Sequence, residues 1–139
     1  MSASNERQFR LAWTGEGLAF RGGRDGGVEI GIDSASQIGP SPMEALLGSV
    51  AGCMAIDVLM ILEKGRVPVE SLEVNAVGTR AETAPKRYVR VELEYDVRGP
   101  SEADLPKLQR AIDLSRDKYC SVLHTLDPEL DFVVTVRQD

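Results

Sequence analysis

The thiols of Cys53 and Cys120 are the candidate reactive groups of this 139-residue chain. A thiolate is a nucleophile, and two thiols can alternate between the reduced state and a disulfide. The cysteines do not form a Cys-x-x-Cys pair, so their spacing is not that of zinc ligands. From the residues alone, the simplest interpretation of the two cysteines is that they are unrelated and buried as small apolar side chains.

Other residue types offer little chemistry. His124 is the one histidine in the sequence. In its apolar context a structural role is more common than a catalytic one, and it cannot build a histidine-rich metal site. The glycine-rich turn 22–27 precedes a strand rather than a helix, so it lacks the context of a phosphate-binding loop. The sequence contains no Gly-x-Ser-x-Gly elbow. We therefore predict neither a metal nor a cofactor.

The two thiols have different local settings. Cys53 lies in the middle of a helix, where the helix dipole contributes little, and Asp57 lies one turn away on the same face. A thiolate at Cys53 would therefore need a buried arginine facing it. The candidates are Arg10, Arg21, Arg24 and Arg87. Cys120 begins a short helix, where free backbone N–H groups lower a thiol pKa, so local electrostatics favour Cys120 as the more acidic thiol.

The element that positions the first cysteine is a long helix predicted from Ser41 to Gly65. Ser41 is a candidate N-cap, Pro42 takes the first helical position, and Glu44 completes a Ser-x-x-Glu capping box. Gly65 is predicted to end the helix in a left-handed conformation. Because the sequence between these ends is apolar nearly all round, we expect the helix to be buried on most of its faces.

Small residues recur three and four positions apart along this helix. They are Gly48, Ala51, Gly52 and Ala55. We expect a sheet or a partner helix to pack closely against them. The uncharged run before Asp57 is shorter than the ~20 residues that a bilayer requires, which argues against a membrane span.

The remaining elements follow from alternation and helical periodicity. We predict strands over 8–13, 17–21, 28–32, 72–78, 89–97 and 132–136, an amphipathic helix over 105–119 and a short helix over 120–126. The order of these elements indicates an α+β fold with mostly antiparallel pairing, since a group of strands is followed by a helix, further strands, helices and a last strand. The length suits one domain, which we predict over residues 1–139.

Composition and charge limit the compartment and the partners. Hydrophobic residues make up 42% of the chain, enough for one core, and the net charge is −6 with no basic stripe. This acidic balance argues against a nucleic-acid partner. The segment 1–7 lacks the apolar core of a signal peptide. We therefore expect a cytoplasmic protein whose cysteines are reduced at rest.

Two motifs together resemble the OsmC/Ohr family of osmotically inducible and organic hydroperoxide resistance proteins. The first is Gly-Pro-Ser-Pro-Met-Glu-Ala-Leu-Leu-Gly-Ser-Val-Ala-Gly-Cys-Met-Ala-Ile-Asp-Val over 39–58. The second is Ala-Ile-Asp-Leu-Ser-Arg-Asp-Lys-Tyr-Cys-Ser-Val over 111–122. Within the family the chain is most similar to the OsmC-like branch whose second cysteine lies in a Tyr-Cys-Ser motif. The resemblance covers nearly the whole chain.

The resemblance implies an intertwined homodimer, in which two long central helices are wrapped by sheets and the active sites lie at the dimer interface. It also implies a thiol peroxidase active in oxidative stress defence. Cys53 matches the cysteine that attacks the peroxide, and Cys120 matches the cysteine that resolves the sulfenic acid. This assignment reverses the order of acidity expected from local electrostatics. An organic hydroperoxide would be the substrate and an external dithiol the reductant.

The family also uses an arginine and a glutamate. The turn Gly22-Gly23-Arg24-Asp25-Gly26 looks like the arginine-bearing turn of the Ohr branch, so Arg24 is the first candidate. In that branch the glutamate directly follows the proline at the helix start. Here Met43 has that place and Glu44 follows it. Glu44 therefore has two interpretations, a catalytic residue and a helix cap.

Two other functions stay open. A non-catalytic dimer on the same fold could bind a small apolar ligand, since Met43, Met54 and Met60 lie near the small-residue groove. Met stripes are, however, more often part of a core. The cysteines could also form a static disulfide, which a cytoplasmic setting disfavours.

Overall fold

The computed structural model describes residues 5–137. They fall into two compact units that divide between Leu46 and Leu47. The single domain expected over 1–139 stays a prediction. Residues 1–4 of the N-terminal segment used for the compartment prediction lie outside the described residues.

The first unit contains a three-stranded antiparallel sheet in the order β1-β2-β3. Its strands are β1 (Arg10–Trp13), β2 (Ala19–Gly23) and β3 (Ile30–Asp33). Strands β1 and β2 pair antiparallel as a hairpin, with Trp13 opposite Phe20. The carboxylate of Asp33 accepts the backbone N–H groups of Ala35, Gln37 and Ile38, which shapes the loop that leads to the long helix.

The long helix α1 spans Pro42–Lys64, close to its predicted bounds. The capping box is formed as the sequence indicates. The Ser41 hydroxyl accepts the Glu44 N–H at 3.2 Å, and the Glu44 carboxylate accepts the Ser41 N–H at 2.9 Å. Because both groups are satisfied by each other, two of the unpaired donors of the first turn gain partners.

The other end of α1 differs from the prediction. Gly65 still donates a helical hydrogen bond to the Ile61 carbonyl at 3.0 Å. The left-handed residue is Arg66, with φ of 59°. The Val67 N–H then donates to the Leu62 carbonyl at 2.9 Å, as in a Schellman motif. The prediction that Gly65 supplies the left-handed stop is therefore wrong, because the left-handed conformation falls on the next residue, Arg66.

The second unit contains the rest of α1, a second sheet and two further helices. Its strands are β4 (Ser71–Arg80), β5 (Tyr88–Arg98) and β6 (Asp131–Val136), and its later helices are α2 (Leu105–Leu114) and α3 (Ser121–Thr125). Strand β5 is central, pairing antiparallel with β4 and parallel with β6. Three of the four strand pairings among the described residues are antiparallel, so the predicted α+β fold is confirmed.

One core joins α1, β5, α2 and the start of α3. The fully buried side chains of this core are Val50, Met54, Val58, Leu62, Val91, Leu93, Tyr95, Leu108, Ala111, Ile112 and Cys120. The members from α1 recur every four residues and the members from β5 every two, as the two periodicities require. Met54 is therefore a core residue, which removes it from the methionine face that we considered for ligand binding.

A smaller part of the surface of α1 is buried within this chain than the sequence predicts. Its fully buried residues form one stripe, whereas Ile56, Leu59 and Met60 are 60%, 42% and 53% exposed. Space for a Cβ atom at Gly48 and Gly52 is open within the described chain. By length and composition alone α1 is a candidate membrane span, a test that core helices of soluble proteins also pass.

Candidate functional site

The two cysteines meet within the second unit. Cys53 lies on α1 and is half-buried, and Cys120 is fully buried at the N-cap of α3. Cys53 packs against the buried core that contains Cys120, and its thiol is near enough to raise the pKa of Cys120; neither cysteine is in a disulfide. The structure therefore brings together two residues that are far apart in sequence.

The segment before Cys120 is wound as a π-helical turn over Ser115–Tyr119. It ends where the Cys120 N–H donates to the Ser115 carbonyl at 2.8 Å. The Ser115 hydroxyl, fully buried, donates to the Asp57 carboxylate at 2.8 Å. This bond ties the turn to α1 one helical turn beyond Cys53. Single π turns within helices are frequent at functional sites.

Burial decides the acidity of Cys120. The Leu123 N–H donates to the Cys120 sulfur at 3.4 Å, the cap contact expected from the sequence. Desolvation is nevertheless the largest effect, and together with Cys53 and Asp57 it raises the pKa of Cys120 to about 11. The expectation that free backbone N–H groups lower the pKa of Cys120 is therefore wrong. One N–H group does not compensate for removing the thiolate from water.

Tyr95 completes the cluster from the side of β5. Its side chain is fully buried, and its hydroxyl has no hydrogen-bond partner among residues 5–137. Burial first, and then the charges of Cys120 and Asp57, raise the pKa of this phenol. Tyr95 was not predicted to belong to the site, because in the sequence it is one more core-facing position of an alternating strand. The sequence does contain one indication, since a core-facing tyrosine needs a hydrogen-bond partner for its hydroxyl.

The candidate arginines lie in different places. Arg10, Arg21 and Arg24 line a cavity of about 280 Å³ in the first unit, beside the turn between β2 and β3. The Arg24 side chain lies over Gly27 in that turn. Arg87 belongs to the second unit, where its backbone carbonyl accepts the Ala81 N–H. The cavity thus gathers three of the four candidates on one side of the first sheet.

Glu44 also belongs to the first unit, where it acts as a helix cap. Its carboxylate accepts hydrogen bonds from the Ser36 hydroxyl at 2.6 Å and from the Ser41 N–H. These hydrogen bonds, led by the one from Ser36, lower the pKa of Glu44. The cap interpretation is confirmed by these contacts, and the catalytic interpretation stays a prediction.

His124 is exposed, and its Nε2 lies 3.0 Å from the Arg116 carbonyl. This contact agrees with the structural role expected from the sequence. The described residues contain no cluster of three or more histidine, cysteine or acidic side chains that could hold a metal ion.

A family model described as "OsmC-like protein" matches residues 33–135. The chain belongs to the OsmC-like protein family. Both cysteines lie inside the matched range.

Similar proteins support the same assignment. Protein YhfA of Escherichia coli K12 is 42% identical over 121 residues, covering 86% of this chain and 89% of YhfA. A hypothetical protein from Aquifex aeolicus is 31% identical with a TM-score of 0.82, covering 95% of each chain. The organic hydroperoxide resistance protein OhrB of Bacillus subtilis shares the OsmC-like fold, with a TM-score of 0.62 at 14% identity, over 94% of this chain and 96% of OhrB.

Proposed function

We propose that this OsmC-like protein reduces organic hydroperoxides by a two-cysteine mechanism in oxidative stress defence. The observation that carries the proposal is that Cys53 packs against the buried core that contains Cys120, although the two residues are far apart in sequence. Two neighbouring thiols can become a disulfide without a large rearrangement. The half-buried Cys53 is the more accessible of the two. Fold-sharing proteins that are named organic hydroperoxide resistance proteins give further support.

In the first step the Cys53 thiolate attacks the peroxide. A sulfur–oxygen bond forms, the O–O bond breaks, and the departing alkoxide takes a proton from water to become the alcohol. Cys53 becomes a sulfenic acid, oxidised by two electrons while the peroxide is reduced. We assign Arg24 to stabilising the Cys53 thiolate, and Glu44 to fixing that arginine in addition to capping α1. The turn around Arg24 resembles the arginine-bearing turn of the Ohr branch, which supports the assignment of the arginine, whereas Glu44 lies one position beyond the family's glutamate.

In the second step Cys120 attacks the sulfenic acid. The Cys53–Cys120 bond forms, the S–O bond breaks, and water leaves. An external dithiol then reduces the disulfide by thiol–disulfide exchange. A cytoplasmic location, which keeps such dithiols reduced, fits this cycle.

We further propose that the protein acts as an intertwined homodimer. The exposed apolar side chains of α1 and the open space over Gly48 and Gly52 support a second copy on that face. An exposed apolar patch of this kind marks an interaction site in a soluble protein.

The experiment is thiol titration and intact mass after cumene hydroperoxide is added to the reduced protein. We expect loss of both thiols with the mass change of one disulfide. Cys53→Ser should keep its remaining thiol, and Cys120→Ser should stop at a sulfenic acid that dimedone traps.

The opposite result is two thiols that stay reduced under excess peroxide. That result would overturn the peroxidase proposal and favour the alternative, a dimeric protein that binds a small apolar molecule without turnover.

A further inference from the structure

The Tyr95 hydroxyl is a polar group in the core without a visible structural purpose. The side chain is 0% exposed, and its hydroxyl finds no hydrogen-bond partner in the described range 5–137. A buried donor left unpaired destabilises a protein, whereas a phenylalanine of nearly the same shape would carry no such cost. Packing therefore does not explain why a tyrosine occupies this position of β5.

The neighbours of the hydroxyl explain it better. Tyr95 and Cys120 are fully buried members of the same core cluster, and the charges of Cys120 and Asp57 oppose ionisation of the phenol. Tyr95 is therefore kept protonated, and a protonated phenol donates a hydrogen bond. The other donor in the cluster, the Ser115 hydroxyl, is already bonded to Asp57.

Cys120 needs such a donor. Its sulfur accepts the Leu123 N–H, but burial, Cys53 and Asp57 all disfavour its thiolate. The sulfur gains negative charge when Cys120 gives up its proton to attack a sulfenic acid on Cys53. It gains charge again if it leaves as a thiolate when the disulfide is reduced. A second, neutral donor would lower both barriers, since hydrogen bonds to charged acceptors are the stronger ones.

We propose that Tyr95 is a catalytic residue that donates a hydrogen bond to the Cys120 sulfur while that sulfur carries negative charge. The inference rests on the proposed two-cysteine function and assigns Tyr95 to its second step. In that step the S–S bond forms, the S–O bond of the sulfenic acid breaks, and the Cys120 proton leaves with the hydroxide as water. Tyr95 keeps its own proton throughout.

The first test compares the wild type with Tyr95→Phe, which removes only the hydroxyl. Tyr119→Phe is the matched control, because Tyr119 is next to Cys120 in sequence but 49% exposed. Peroxide-dependent loss of the Cys53 thiol and the later formation of the disulfide are followed separately, with dimedone trapping the sulfenic acid. We expect Tyr95→Phe to leave the first step unchanged and to slow the second about tenfold or more. The Tyr119→Phe variant should match the wild type.

Equal slowing of both steps by Tyr95→Phe, or no slowing of the second, would overturn the inference. The unfolding midpoint of Tyr95→Phe in urea should not fall, because an unpaired buried hydroxyl is lost. A kinetic defect in a variant of undiminished stability then cannot be attributed to misfolding.

A second measurement does not depend on peroxidase activity. In a Cys53→Ser background Cys120 is the one remaining thiol, and its ionisation is followed by alkylation rate against pH. The charged or titratable groups acting on it are then Asp57 from α1 and Tyr95 from β5. Adding Tyr95→Phe should raise the apparent pKa of Cys120 by about one unit. An unchanged pKa would refute the role of Tyr95, whereas failure of the proposed function would show only as absence of sulfenic acid in the wild type.

Discussion

At the scale of single residues, Cys120 shows how burial outweighs a local cap. Its position at the N-cap of α3 offers the sulfur an N–H group, yet its pKa is raised to about 11. A thiol that stays neutral at physiological pH reacts poorly with peroxide itself. This property suits the second thiol of the proposed cycle, because it leaves the first reaction to Cys53.

We therefore predict that Cys120 in the Cys53→Ser variant is alkylated slowly at neutral pH and that the rate rises toward a midpoint above the ordinary thiol value, because burial and Asp57 still raise the pKa after the contribution of Cys53 is removed. The sign follows from the raised pKa, since the reactive thiolate appears only when the pH approaches that value. The measurement is the iodoacetamide reaction rate against pH. The same variant unfolded in urea serves as the control and should titrate near the ordinary value of ~8.5. A midpoint near neutrality in the folded variant would contradict the burial argument.

At the scale of elements, the start of α1 combines a confirmed cap with a proposed catalytic role. Ser41 and Glu44 satisfy each other's backbone N–H groups, and Ser36 adds a third contact to the carboxylate. Stability and catalysis are separable here because glutamine can also complete a capping box, whereas it cannot supply a negative charge to an arginine.

We predict that Ser41→Ala lowers the free energy of unfolding by about 1 kcal/mol and leaves the peroxide reaction of Cys53 unchanged. Glu44→Gln should cost less stability but slow that reaction at least about tenfold. Urea unfolding and peroxide-dependent thiol loss measure the two effects. A wild-type rate for Glu44→Gln would limit Glu44 to its capping role.

At the scale of the whole molecule, the apolar surface of α1 is the feature that a single chain leaves unexplained. Its buried stripe packs into the core of the second unit, while Ile56, Leu59 and Met60 stay accessible. Burying such side chains contributes roughly 25 cal/mol per Å² of apolar surface removed from water. A second copy of the chain on this face would supply that burial.

We predict that Ile56→Glu shifts the protein from dimer to monomer, because a carboxylate cannot be buried in an apolar interface without a large cost. The conservative variant Ile56→Leu should remain dimeric. Sedimentation velocity at several protein concentrations measures the change. A monomeric wild type at micromolar concentration would contradict the proposed dimer.

Local rules were enough to predict much of this protein from its sequence. The capping box over Ser41 and Glu44, the alternation along β5 and the α+β class depend on neighbouring residues, and all are confirmed. The motifs around Cys53 and Cys120 were likewise sufficient to indicate the OsmC-like family.

The remaining features of the site depend on residues that lie far apart in sequence. The Ser115–Asp57 hydrogen bond, the contact of Cys53 with Cys120 and the unpaired hydroxyl of Tyr95 arise where α1, β5 and the π turn pack together. The acidity of Cys120 belongs with them. A sequence shows the N–H group that stabilises a thiolate, but the opposing desolvation is set by every side chain that excludes water from the sulfur.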